Sequence, residues 1–207
     1  MEQRKIGIVA VVYFCLFVFN SFDAYSDEIL DDEESTRHNF YVSPEIMIGN
    51  YWGLGVNFTY TYDHSYSFQI GTSWMAKKAA NLPNDYYTFT MFTVPHDHLT
   101  HIHIALGMMI YLNELETIRL NLSAGVASTS ICEPRNFVKL TDGEVTEDGE
   151  NYTYQHFEYD KVSLVALPSL QFLIQDNIGI YISPSYIYNS DRSFSGVKLG
   201  VMLGKIK

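Results

Sequence analysis

From Asn39 onward, apolar and small polar residues alternate one by one. This is the period-two pattern of strands whose two faces meet different surroundings. Across 53–62 the even positions are Leu54, Val56, Phe58, Tyr60 and Tyr62, and the odd ones Gly53, Gly55, Asn57, Thr59 and Thr61. Across 100–112, Ile102, Ile104, Leu106, Met108, Ile110 and Leu112 share one face, with His101, His103, Ala105 and Gly107 opposite. The alternation predicts strands over 39–49, 53–62, 65–76, 86–112, 117–130, 154–174, 178–189 and 193–205. Sustained helical periodicity is absent.

Connection lengths order these strands. Residues 63–65, 113–116 and 175–177 are tight turns, whereas 77–85 and 131–153 are long connections. A membrane barrel carries short turns on one rim and long loops on the other. An eight-strand count puts the three tight turns and both chain ends on one rim, with 86–99 as an outer extension of the fourth strand bent near Pro95.

The polar face decides what surrounds the barrel. It is built of Gly, Ser, Thr, Asn and Gln, nearly without charge, which suits a narrow interior and not bulk water. The apolar face is then the outer one, and lipid is the solvent that tolerates it. Trp52, Tyr60, Tyr62, Trp74, Tyr186 and Tyr188 sit near strand ends, as interfacial girdles do. The expected fold is all-β: an eight-stranded antiparallel up-and-down transmembrane β-barrel. Parity turns the charged strand residues Glu45, Arg119 and Lys198 inward, and a Glu45–Arg119–Lys198 cluster is expected in the lumen, because buried charge needs partners.

Composition sharpens this picture. Mean hydropathy is −0.04, too low for a bundle of membrane helices and natural for strands that are half polar. Lys and Arg number 13 against 24 Asp and Glu, a formal charge of −11 that argues against nucleic acid as a partner. Arg4 and Lys5, the apolar run 6–19 and the small residues Ala24 and Ser26 read as a signal peptide over 1–26, cleaved after Ser26. An acidic flexible leader follows over 27–38, then the barrel over 39–207. Cys15 leaves with the signal, so Cys132 has no partner for an internal disulfide. No cofactor motif is present.

The chain resembles the small outer-membrane β-barrel proteins of Gram-negative bacteria, and most nearly the outer-membrane β-barrel domain family of Bacteroidota. The resemblance spans 39–207. It rests on the strand pattern, on prolines within strands (Pro44, Pro168, Pro184) and on the final strand, where Lys198, Gly200 and Leu203 follow a polar-x-Gly-x-x-apolar order. Lys205 stands where that pattern has its last aromatic. The resemblance implies residence in the bacterial outer membrane, both termini in the periplasm, and contact with outer-membrane lipids and the assembly machinery.

Candidate chemistry is sparse. His96, Asp97, His98, His101 and His103 crowd together, and His101, His103 and His98 are candidate ligands for a transition metal, against a polar upper lumen of hydrogen-bonded histidines. Ser128, Ser130 and His156 fall near the outer rim, where a lipid-modifying enzyme would need a serine and a histidine in contact. The acidic loop 131–153 is a solvated surface loop that could meet a surface ligand, and it lacks the spacing of a calcium loop. The expected role is non-enzymatic, structural or surface-interacting; a narrow porin-like channel is the alternative, and a lipid-modifying enzyme a third.

Overall fold

A computed structural model of the protein describes residues 38–63, 65–89, 94–141, 144–146 and 149–206. The signal peptide expected over 1–26 and the leader expected over 27–38 lie outside the described residues, except that His38 opens the first strand. The strands are β1 (His38–Gly49), β2 (Trp52–Tyr62), β3 (Tyr66–Lys78), β4 (His96–Tyr111), β5 (Ile118–Lys139), β6 (Tyr152–Ala166), β7 (Ser169–Gln175), β8 (Ile178–Tyr188) and β9 (Phe194–Lys205). Neighbours run antiparallel, β1 pairs with β9 and β4 with β5, so the sheet closes on itself.

β6 and β7 lie end to end in one place between β5 and β8, which makes a ring of eight strands from nine segments. The break falls at Leu167 and Pro168, because proline has no N–H for the ladder. Ser123 spans the gap. Its carbonyl accepts from the Leu167 N–H at 2.8 Å, and its hydroxyl donates to the Leu167 carbonyl at 3.3 Å.

Parity governs the wall. On β4, His101, His103 and Ala105 are buried inside, while Ile102, Ile104 and Leu106 are 59%, 48% and 69% exposed. Those exposures make sense only against lipid. The lumen takes one large residue where its neighbour is small. A Cβ on Gly71 would lie 2.6 Å from the His103 ring, so glycine there is what lets the imidazole cross.

Two predicted boundaries move. Residues 86–89 do not extend the fourth strand; β4 begins at His96, directly after Pro95. β3 ends at Lys78 opposite His96, so the chain before it has no strand to pair with and packs elsewhere. Conversely, much of the predicted 131–153 loop is strand. β5 runs on to Lys139 and β6 starts at Tyr152, forming a two-stranded hairpin that outlasts its neighbours and leaves only 140–151 as its connection. A bulge between Arg135 and Val138, with Asn136 at φ +55°, and Pro134 hide this strand from a simple alternation count.

Candidate functional site

The lumen is layered. In its lower half Lys198 Nζ lies 2.7 Å from Glu45 Oε1, and the Tyr181 hydroxyl donates to Glu45 Oε2 at 2.5 Å. Both ion-pair side chains are almost fully buried, at 3% and 1% exposure, so each charge depends on the other. Arg119 does not join this pair as expected. Its Nε donates to Gln171 Oε1 at 2.7 Å and its Nη1 to the Ile206 carbonyl at 3.0 Å, with the guanidinium over the Tyr41 ring. The register explains the separation: Arg119 faces Gln171, Gln171 faces Tyr181, Tyr181 faces Gly200, and Gly200 faces Glu45. Inward parity alone does not make neighbours on a ring of this circumference. Gln171 links the two halves instead, donating to the Tyr41 hydroxyl at 3.1 Å.

The three histidines proposed as metal ligands do not converge. His101 and His103 point inward, whereas His98 lies on the outer face and stacks on Trp74 with ring centroids 5.4 Å apart. An even-numbered residue of β4 cannot share a face with odd ones. His101 Nδ1 sits 2.7 Å from Thr129 Oγ1, which continues to Ser163 Oγ at 2.6 Å and then to Asn189 Nδ2. Among the described residues no three His, Cys, Asp or Glu side chains gather as a metal shell.

Above the histidines comes a layer that the alternation did not announce. Met47, Met75, Leu99, Ile131, Ile187 and Phe194 are all fully buried inside the barrel and pack as one cluster. Its signal was present where an inward position breaks the polar rule, as in Ile46-Met47-Ile48 and Trp74-Met75-Ala76. Below this layer, the cavity beside Glu45, Gln171, Tyr181 and Lys198 holds only about 20 Å³, close to one water. Over it sits Glu133, only 5% exposed, bound by Arg135 at 2.9 Å and by Arg192 at 2.6 Å.

The serine and histidine considered for an enzyme are far apart. Ser128 pairs with Val162 and faces the lipid side, while His156 pairs with Pro134 on the hairpin. Along β6 that separation is roughly 20 Å at about 3.3 Å per residue. His156 Nδ1 lies 3.7 Å from the Cys132 thiol instead.

The outer hairpin is also braced by the chain that precedes β4. Asn81 Nδ2 donates to the Pro134 carbonyl at 2.9 Å, Lys139 Nζ reaches Asp85 Oδ2 at 2.7 Å, and the Tyr152 hydroxyl donates to Asp85 Oδ1 at 2.6 Å. Tyr86 donates to Glu150 at 2.8 Å, and Tyr86, Phe137, Tyr152 and Tyr154 form an aromatic cluster around these bonds. The Lys139 and Tyr152 hydrogen bonds hold the Asp85 carboxyl below its ordinary pKa.

A closed antiparallel ring with an apolar outer belt, a filled polar lumen and elaboration on one rim defines a small outer-membrane β-barrel. No known protein family and no curated protein matches the sequence. The likeness lies in solved structures. The N-terminal β-barrel domain of Pseudomonas aeruginosa OprF matches with TM-score 0.52 and 12% identity over 82% of this chain and 99% of that one. The attachment invasion locus protein Ail of Yersinia pestis, in its crystal structure, matches at 0.46 and 12% over 82% and 97%, and Neisserial surface protein A at 0.41 and 10% over 82% and 99%. At 12% identity the likeness to the OprF domain is one of fold.

Proposed function

We propose that the protein is a non-enzymatic outer-membrane barrel with a structural role and a cell-surface interaction role, and that its lumen does not conduct. The observation that carries this reading is the filled interior: the buried Glu45–Lys198 pair, the 20 Å³ cavity and the six-residue apolar layer above it. Water and ions have no continuous path past such a layer, since desolvating a charge there has no compensation. The separation of Ser128 from His156 supports the absence of lipid chemistry at that rim. Three tight turns beside the strand ends His38 and Lys205, and long elaborations opposite, support periplasmic termini and a surface-exposed hairpin. The in-strand prolines and the final-strand pattern support kinship with the Bacteroidota barrel family, and contact with membrane lipids and the assembly machinery follows from residence in the outer membrane.

Planar-bilayer recording tests the sealed lumen. The wild-type barrel gives no unitary conductance, and the double variant Met75→Ser/Leu99→Ser, which makes the layer polar, introduces a leak. Steady conductance from the wild type would support the channel reading instead. Mass spectrometry of lipid A from cells with and without the protein shows no difference in this reading.

A further inference from the structure

Among the described residues, a groove of about 520 Å³ opens on the lipid face of the wall, framed by Tyr66, Leu106, Met108, Leu122, Ala124 and Pro168. Its origin lies in the register. Leu106 pairs with Ala124 and Ala124 with Ala166, so two of the three outward side chains in that row are single methyl groups. One row away, Ile104, Val126 and Leu164 fill the corresponding places with branched side chains. The wall is lowered further where β6 ends and β7 begins, since Pro168 stands in the joint. The strands that frame the groove, β3, β4, β5 and the joined β6 and β7, are described along their whole length.

The groove has a direction. Tyr66 opens β3 directly after the turn 63–65, and the Met109 N–H donates to the Ser65 carbonyl at 2.7 Å, which sets that turn beside Met108. The groove therefore starts at the rim of tight turns, with a phenol at its mouth where aromatic side chains meet lipid headgroups, and ends within the apolar belt at Ala124. The adjoining rim is acidic. Asp63 and Glu114 are exposed, and neither the turn 63–65 nor the turn 113–116 carries a lysine or arginine.

We propose that this groove is a saturable site for one phospholipid, with an acyl chain lying in the hollow and a cationic headgroup amine against the acidic rim. This rests on the outer-membrane reading and deepens it. In a bilayer the groove gains nothing by leaving water, because acyl chains are as apolar as leucine. Packing and charge select the occupant instead. A hollow left open forfeits dispersion contacts along its lining, and an ammonium suits Asp63 where an anionic headgroup does not. A second copy of this chain fits less well. Two barrels in one membrane stand at the same depth, so a two-fold contact here brings their acidic rims together, and like charges so placed weaken association.

The test embeds the full barrel in nanodiscs with trace phosphatidylethanolamine or phosphatidylglycerol that carries a photoactivatable acyl chain. Labelling maps to 106–108 and 122–124, saturates, and exceeds that of the outward residues Ile180, Ile182, Leu199 and Val201 by about threefold or more. Phosphatidylethanolamine labels the groove more strongly than phosphatidylglycerol, and Asp63→Asn/Glu114→Gln brings the two to parity. Ala124→Phe fills the hollow and lowers labelling there to that of the rest of the wall. Because Ala124 is exposed on the lipid face, heat-modifiable gel migration of this variant stays that of the wild type. Even labelling around the wall, labelling at 106–108 that survives Ala124→Phe, or equal labelling of the wild type by the two lipids would overturn the proposal. Cross-links between barrels through 106–124 would also overturn it, and would make a second copy the occupant. In each of these cases the membrane reading stands. Absence of label from every wall strand would remove that reading together with the site.

Discussion

Two ion pairs in this protein have the same length and opposite settings. Lys198 and Glu45 meet at 2.7 Å inside the lumen, at 3% and 1% exposure; Lys139 and Asp85 meet at 2.7 Å on the outer hairpin, at 51% and 55% exposure. Geometry alone would rate them equal. Their surroundings separate them, since the lumen pair has given up its water and the hairpin pair has kept it. The contrast extends to everything around them. In the wall, each side chain faces lipid or lumen, and one slip in register would invert both. On the hairpin, side chains such as Arg135 and Lys139 keep much of their water, although Glu133 and Tyr152 are buried.

The largest expected effect breaks the lumen pair. Glu45→Ala leaves Lys198 and the Tyr181 hydroxyl without their acceptor in a buried site, and is expected to cost about 3–5 kcal/mol in denaturant unfolding of the micelle-embedded barrel. Replacing both partners with methionine is expected to recover most of that loss, because a buried pair owes much of its apparent worth to the penalty of leaving one charge alone. If Glu45→Ala unfolds at the wild-type midpoint, the pair is solvated and the lumen is wetter than its packing implies. Next in size, Ile104→Lys puts a charge on the lipid face of β4 and is expected to cost about 2–4 kcal/mol in the same unfolding measurement, done in bilayers. A tolerated lysine there would mean that this face does not meet lipid.

The wall was legible in the sequence for the same reason that it is unforgiving. Lipid outside and a narrow lumen inside force period-two alternation, so the strands from Trp52 to Lys78 and from Ile178 to Lys205 match the predicted spans to within a few residues. The predicted strand 154–174 is two segments in the structure, parted at Leu167 and Pro168, and that break was not foreseen. Neighbourhood around the ring was not legible. Arg119 shares the inward face with Glu45, but the register places Gln171 and Tyr181 between them, and register is a property of pairs of strands. The β5 half of the hairpin was hidden because Pro134 and the bulge between Arg135 and Val138 interrupt its alternation. Glu133 and Arg135 fall in the 131–153 run that reads as an acidic loop, although each sits on a paired strand. The apolar layer was missed because Met47, Met75 and Leu99 interrupt a polar face, and alternation counts treat such residues as exceptions.

The smallest effect belongs to the exposed pair, and it sharpens the comparison most. The hydrogen bonds from Lys139 and Tyr152 lower the Asp85 pKa, so the carboxylate favours the docked arrangement at pH values above its unfolded pKa of about 3.9. That contribution fades as pH falls through the lower, folded value, so acid loosens the contact between 79–89 and the hairpin. Salt should weaken it as well, since both charges are open to solvent. Amide resonances of residues 85–87 and 150–152, followed in nanodiscs, are expected to shift below about pH 4, and Asp85→Asn is expected to flatten that titration while leaving the unfolding midpoint of the barrel in place. An unchanged titration in Asp85→Asn would assign the acid response to another group. A fallen midpoint would mean that the hairpin pair supports the wall, and the distinction between the two settings would then be one of degree.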